Sequence, residues 1–125
     1  VLSWLRITAV VTTACGLLQA LLGMGILGSL GGVFSVHRTI GYATLLAAVA
    51  VAVFAVLWMR RSGNKGLMFH ALSLPVLAII QIGVAEMGIV AVHVIVGILF
   101  LVAAAALATL AFRKGGKGLA ERRTA

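Results

Sequence analysis

The stretch Met87–Phe112, MGIVAVHVIVGILFLVAAAALATLAF, runs for 26 residues without an Asp, Glu, Lys or Arg. As a helix rising 1.5 Å per residue it would span about 39 Å, more than the roughly 30 Å of a bilayer's hydrocarbon core. Three further charge-free stretches lie upstream: Ile7–Val36 (30 residues), Thr39–Met59 (21) and Gly66–Ala85 (20). Each reaches the roughly 20 residues that a helical span requires. Backbone polar groups find no partners in lipid, so a spanning run is a helix or a strand of a closed barrel. The regular alternation with polar lumen positions that a barrel strand needs is absent. The sequence therefore predicts an all-α integral membrane four-helix bundle over residues 1–112, with helices near 5–28, 35–60, 66–85 and 88–112, followed by a basic cytoplasmic tail, 113–125.

Composition supports the same class. The 125 residues are 63% hydrophobic and 10% charged, and mean hydropathy is +1.25. Soluble domains are about 45–50% apolar and about 25% charged, so a soluble globular domain and a disordered chain are excluded. Cys15 is the single cysteine, which excludes an internal disulfide and leaves the redox compartment unread; inside an apolar helix it acts as a small hydrophobe. The net charge of +8 comes from basic residues scattered over short loops and the tail. They read as topology determinants and anionic-lipid contacts, not as a nucleic-acid surface. Nine of the ten, namely Arg6, Arg60, Arg61, Lys65, Arg113, Lys114, Lys117, Arg122 and Arg123, fall on one side of the predicted bundle. The positive-inside rule makes that side cytoplasmic, with both termini inside. Trp4 and Trp58 lie toward the same side, where interfacial aromatic rings are expected. Thr12-Thr13-Ala14-Cys15-Gly16 faintly resembles a bacterial lipobox, but Thr12 stands where an aliphatic residue belongs, so an uncleaved first helix is expected.

The chain also reads as two similar hairpins. Gln19 and Gly23 come late in the first predicted helix, and His37 and Gly41 open the second. Gln81 and Gly83 come late in the third, and His93 and Gly97 open the fourth. Both hairpins start inside, so the expected relation is a parallel repeat about an axis along the membrane normal. That places the second and fourth helices parallel and facing across the bundle. His37 lies 23 residues before Arg60 and His93 lies 20 before Arg113. The difference of three residues is about 4.5 Å along a helix, so the two imidazoles are expected at nearly one depth, in the outer leaflet.

A flat cofactor with one axial ligand from each face needs that arrangement, and haem iron takes histidine nitrogens axially. Gly41 and Gly97, four residues after each histidine, share its helix face and leave room for a planar ring. The expectation is one bis-histidine haem b on His37 and His93. Two other readings of the pair remain: interhelical hydrogen-bonding histidines, and ligands of a chlorophyll-type pigment. His70 has no histidine at its own depth and reads as interfacial or capped. Gln19 and Gln81 read as interhelical hydrogen-bonding groups, with contact to a haem edge or a quinone as the alternative. Arg38 suits a haem propionate or lipid phosphate, and Glu86 reads as a loop residue within reach of Arg38. Pro75 is expected to kink the third helix or be accommodated in it. The Ala-rich runs in 47–55 and 103–108 read as close-packing faces.

These residues resemble a known pattern. Leu18-Gln19-Ala20-Leu21-Leu22-Gly23, a Gly-rich loop, Val36-His37-Arg38-Thr39-Ile40-Gly41, then Ile80-Gln81-Ile82-Gly83 and Val92-His93 resemble one four-helix half of bacterial heme A synthase over residues 12–112. The chain is also similar to small four-helix, b-type cytochrome-like bacterial membrane proteins of unassigned function, which share the His-Arg-x-x-Gly opening. The resemblance implies His37 and His93 as axial ligands in a bacterial cytoplasmic (inner) membrane. It further implies that a homodimer would restore eight helices. Where that family carries an acidic residue three positions before the histidine, Phe34 stands, and the outer cysteine pair is missing. The expectation is therefore a membrane cytochrome b, with no catalysis by the chain alone. It would serve electron transfer or an accessory role in a redox membrane complex, with a quinone among its partners. The alternatives are a cofactor-free structural or assembly subunit and a dimeric half-size synthase. A transporter is disfavoured, since no acidic residue stands inside a predicted helix.

Overall fold

The computed structural model describes residues 1–113; of the basic tail assigned to 113–125, all but Arg113 lies outside the described residues. Four helices make up the described chain: α1 (Leu2–Leu27), α2 (Val33–Ser62), α3 (Lys65–Glu86) and α4 (Val90–Arg113). They are 26, 30, 22 and 24 residues long, and each is long and apolar enough to cross a bilayer. The protein is a multi-pass membrane four-helix bundle. The helices outrun the charge-free stretches because charged residues at their ends stay helical: Arg6 in α1, Arg60 and Arg61 in α2, and Glu86 closing α3. Long side chains at helix ends reach the interface while the backbone continues its ladder. Pro75 lies inside α3, which continues unbroken through it.

The connections are short. Gly63 ends α2 at φ 74°, and its N–H bonds the Met59 carbonyl at 2.7 Å; this left-handed stop favours glycine because a Cβ crowds it. Asn64 then starts α3, its Oδ1 accepting the Leu67 N–H at 3.0 Å, a side-chain N-cap. Each helix packs on its neighbours in sequence and α1 packs on α4, so the four form a ring with α2 and α4 on a diagonal. At one end of the ring Arg6 ties the start of α1 to the end of α4: its Nε donates to the Ala111 carbonyl at 3.2 Å and its Nη2 to that of Phe112 at 3.4 Å. These carbonyls belong to the last turn of α4, which lacks intrahelical donors and carries the negative end of the helix dipole.

The core follows one spacing on all four helices: Leu5, Ala9, Thr12, Gly16; Thr44, Ala48, Val51, Ala55, Trp58; Leu67, Ala71, Leu74, Ala78; Phe100, Ala104, Leu107, Ala111. Steps of four and three put these residues on a single seam per helix. Alternating alanine with a larger residue lets backbones approach, which is how helices hold together where lipid is as apolar as leucine. Gly16 is one such place: a Cβ there would lie 3.2 Å from the Phe100 ring. The two buried hydroxyls bond their own helix, Thr12 to the Thr8 carbonyl at 2.8 Å and Thr44 to that of Ile40 at 2.7 Å. One aromatic expectation needs correction. Trp58 is 3% exposed with its Nε1 unpartnered, so its ring fills the seam instead of meeting headgroups. Trp4 is the exposed ring, stacked on Phe54 at 6.0 Å between centroids.

Candidate functional site

Among the described residues, the buried ones all lie in the half of the bundle that contains the chain start; none falls in 17–43 or 79–99. The seams nevertheless continue into this second half with the same steps, and there they change chemistry. Beyond Gly16 the α1 seam carries Gln19 and Gly23; beyond Thr44 the α2 seam carries Gly41 and His37. Beyond Ala78 the α3 seam carries Gln81, and beyond Phe100 the α4 seam carries Gly97 and His93. Residues that would close a hydrocarbon core are replaced by imidazoles, amides and glycines, all of them half-buried. Polar side chains at such positions in a membrane helix mark a site by default.

His37 and His93 meet across the diagonal, with ring centroids 6.0 Å apart and planes inclined by 70°. The two were expected at one depth on facing helices, and the structure brings them together. His93 Nδ1 lies 3.1 Å from the Gln81 carbonyl oxygen. A carbonyl can only accept, so Nδ1 carries the proton and Nε2 keeps the lone pair. His37 Nδ1 is buried without a close hydrogen-bond partner among the described residues. Gln19 instead donates from Nε2 to the backbone carbonyl of His37 at 2.7 Å, an α1–α2 bond of the kind expected from the sequence.

The glycines hold something other than expected. A Cβ on Gly41 would lie 3.6 Å from Gln19 Nε2, and one on Gly97 only 2.7 Å from Gln81 Nε2. Each notch thus faces the glutamine of the preceding helix. Gln81 Oε1 is buried without a partner. Gly23, singled out only as part of the hairpin pattern, also borders the pair: a Cβ there would touch His37 Cε1 at 3.6 Å.

Arg38 stands outside the pair, its Nη2 3.5 Å from Glu86 Oε1, with both side chains about 60% exposed (59% and 61%). The ion pair links α2 to α3 at the same end of the bundle. His70 is separate. Its Nε2 donates to the Ala103 carbonyl at 2.8 Å, tying α3 to α4, and it lines a cavity of about 260 Å³ with Asn64, Gly66, Leu67 and Leu110.

Among the described residues no group of three or more His, Cys, Asp or Glu converges. Two imidazoles leave a bare zinc ion short of the four ligands it takes. They suffice for an iron whose other positions are filled by a macrocycle. Metal–imidazole bonds of about 2.0–2.1 Å on either side of one ion set the ring centres about 6 Å apart, in line with the observed separation. No family model, curated protein or solved structure matches the chain.

Proposed function

We propose that the chain is a membrane cytochrome b that holds one haem b between His37 and His93. The single observation carrying this reading is the approach of the two imidazoles to 6.0 Å across the diagonal of the bundle, in its uncored half. Bound haem would supply one-electron transfer. His37 and His93 would act as its ligands, and Arg38, at the mouth, is the cation available to an acidic edge group once Glu86 releases it. Gly41 and Gly97 keep the backbone bare behind each histidine, with Gln19 and Gln81 the side chains that yield. The matched Gln–His–Gly sets support reading the chain as two copies of one hairpin. The basic residues support an orientation with the termini and the Arg6 end inside, and the haem toward the outer face of a bacterial cytoplasmic membrane. The resemblance to half of heme A synthase points the same way, and a homodimer or a larger redox complex with a quinol as electron donor fits the role.

Purified protein should show a Soret band that sharpens on dithionite reduction, with α and β bands. His37→Ala and His93→Ala should abolish that six-coordinate spectrum. A colourless protein that takes up no added hemin, or variants that keep the full spectrum, would refute the proposal. A cofactor-free structural or assembly subunit is the second reading. The seating of Gln19 and Gln81 in the glycine notches favours it, because the protein's own side chains already cover the backbone there.

A further inference from the structure

We propose that the cavity beside His70 is a head-group site for a membrane quinol, at the opposite end of the bundle from the histidine pair. It is lined by Asn64, Gly66, Leu67 and His70 around the start of α3 and by Leu110 of α4. His70 Nε2 donates to the Ala103 carbonyl at 2.8 Å. A carbonyl can only accept, so in the neutral imidazole the lone pair lies on Nδ1. That nitrogen has no close hydrogen-bond partner among the described residues and is the one available to a guest. Asn64 is its complement. Its Oδ1 is taken by the Leu67 N–H at 3.0 Å, which leaves its amide N–H groups to donate. The cavity thus offers one acceptor and one donor, each held by a bond to the protein through its other polar atom.

These groups select the guest. The described lining carries no Lys, Arg, Asp or Glu, so an ionic ligand finds no counter-charge there and a metal ion would meet a single imidazole. A neutral molecule that gives an O–H to Nδ1 and accepts from the amide suits both. Gly66 bares the backbone, and Leu67 and Leu110 supply apolar contact for a ring. The volume of about 260 Å³ lies below the about 300 Å³ at which pockets for drug-sized ligands begin. It therefore takes a ring and leaves a hydrocarbon tail outside. Depth points to the same class: His70 is five residues into α3 from Lys65, and Leu110 is three before Arg113. At 1.5 Å per residue the cavity lies within about 8 Å of the basic helix ends. A quinol seated there keeps its hydroxyls near the interface and its tail in hydrocarbon. Ala103 is ten residues from His93, about 15 Å along α4, so the site is separate from the pair. Binding does not depend on the haem reading; the use of the quinol's electrons rests on it.

The test uses the full chain without added haem, labelled with ¹⁵N-histidine and observed in micelles by NMR. A decyl-tailed benzoquinol, kept reduced under argon, should shift the His70 Nδ1 signal and leave His37 and His93 in place. Its dimethyl ether enters micelles equally but has no O–H, and should shift none of the three. Asn64→Asp keeps the helix cap, since Asp serves there as well as Asn, and replaces the amide donor by an acceptor. It should weaken quinol binding about 2–10-fold, the range of one net hydrogen bond, with the helical circular dichroism unchanged. Gly66→Leu fills the cavity from an exposed position and should abolish the shift. A quinol that moves His37 or His93 instead of His70, an ether that moves His70 equally, or variants that bind like wild type overturn the inference. So does inorganic phosphate moving His70 where the quinol does not, which would mark an anion site. If the quinol shifts His70 in a protein that takes up no hemin, the haem proposal falls and this site stands. Hemin uptake without a quinol response gives the reverse.

Discussion

Gly97→Ala and Gly41→Ala make the same chemical change at matching positions, and the structure assigns them different costs. At Gly97 the new methyl would lie 2.7 Å from Gln81 Nε2, with the amide carbon at 3.5 Å and Oε1 at 3.6 Å. Ordinary contact between such atoms is about 3.5–4.0 Å, so the amide must retreat by about 1 Å. It is the far end of a flexible side chain, so the relief is a forced rotamer costing about 0.5–1.5 kcal/mol, overlapping the low end of the about 1–3 kcal/mol typical of overpacking. At Gly41 the nearest atom, Gln19 Nε2, is 3.6 Å away and nothing has to move. The helix-propensity gain of alanine over glycine, about 0.8–1.0 kcal/mol in water, applies to both and cancels in the comparison. Gly97→Ala should thus be less stable than Gly41→Ala by about 1–2 kcal/mol. Reversible unfolding in mixed micelles with rising SDS fraction, followed by far-UV circular dichroism, measures the difference. Gly97→Ala combined with Gln81→Ala should recover most of it, because the clashing amide is gone and neighbouring sites couple. Equal stability of the two single variants, or a double variant as weak as Gly97→Ala, would refute the contact.

The same titration checks three further expectations. Arg6→Gln removes two bonds to the last carbonyls of α4 and the guanidinium 5.1 Å over the Phe112 ring, and should cost about 1–2 kcal/mol. Arg6→Lys should recover only part of it, since an ammonium lacks the planar fork. Trp58→Phe deletes an indole N–H that is buried without an acceptor; stability should stay within about 1 kcal/mol of wild type or rise, and a loss above that would mean the N–H has a partner. Ala104→Leu forces three carbons into a fully buried seam position and should cost about 1–3 kcal/mol, whereas Ala105→Leu, on the exposed face, should cost nothing measurable.

The number of helices was legible because hydrocarbon imposes it: a run without charge and about 20 residues long has one way to satisfy its backbone. The ends were less so. Arg61 and Glu86 looked like stops, yet both are helical, because a charge at a helix end needs water only at the tip of its side chain. Which face each residue presents was harder still. Trp58 sits two residues before Arg60 and reads as interfacial by depth, while its place one seam step after Ala55 turns it inward. The meeting of His37 and His93 followed from depth counted back from the basic residues. What fills the notches of Gly41 and Gly97 did not follow, because the glycine pattern shows room without showing who takes it. Gln19 and Gln81 could be found only by continuing the core spacing of α1 and α3 past the last apolar residue, which needs the seam to be fixed first.

The bonds of the uncored half divide it along one line. Gln19 to the His37 carbonyl joins α1 to α2, and His93 to the Gln81 carbonyl joins α3 to α4. Between these two pairs of helices the imidazole contact and the Arg38–Glu86 ion pair are the polar contacts that the described residues make at the histidine end. An ion pair this exposed is worth about 0–1 kcal/mol. At the other end Arg6 on α4 and Phe100 beside Gly16 join the pairs. The hydrogen bonds of the histidine end therefore run within each helix pair, which leaves the two imidazoles as facing surfaces of separate pairs.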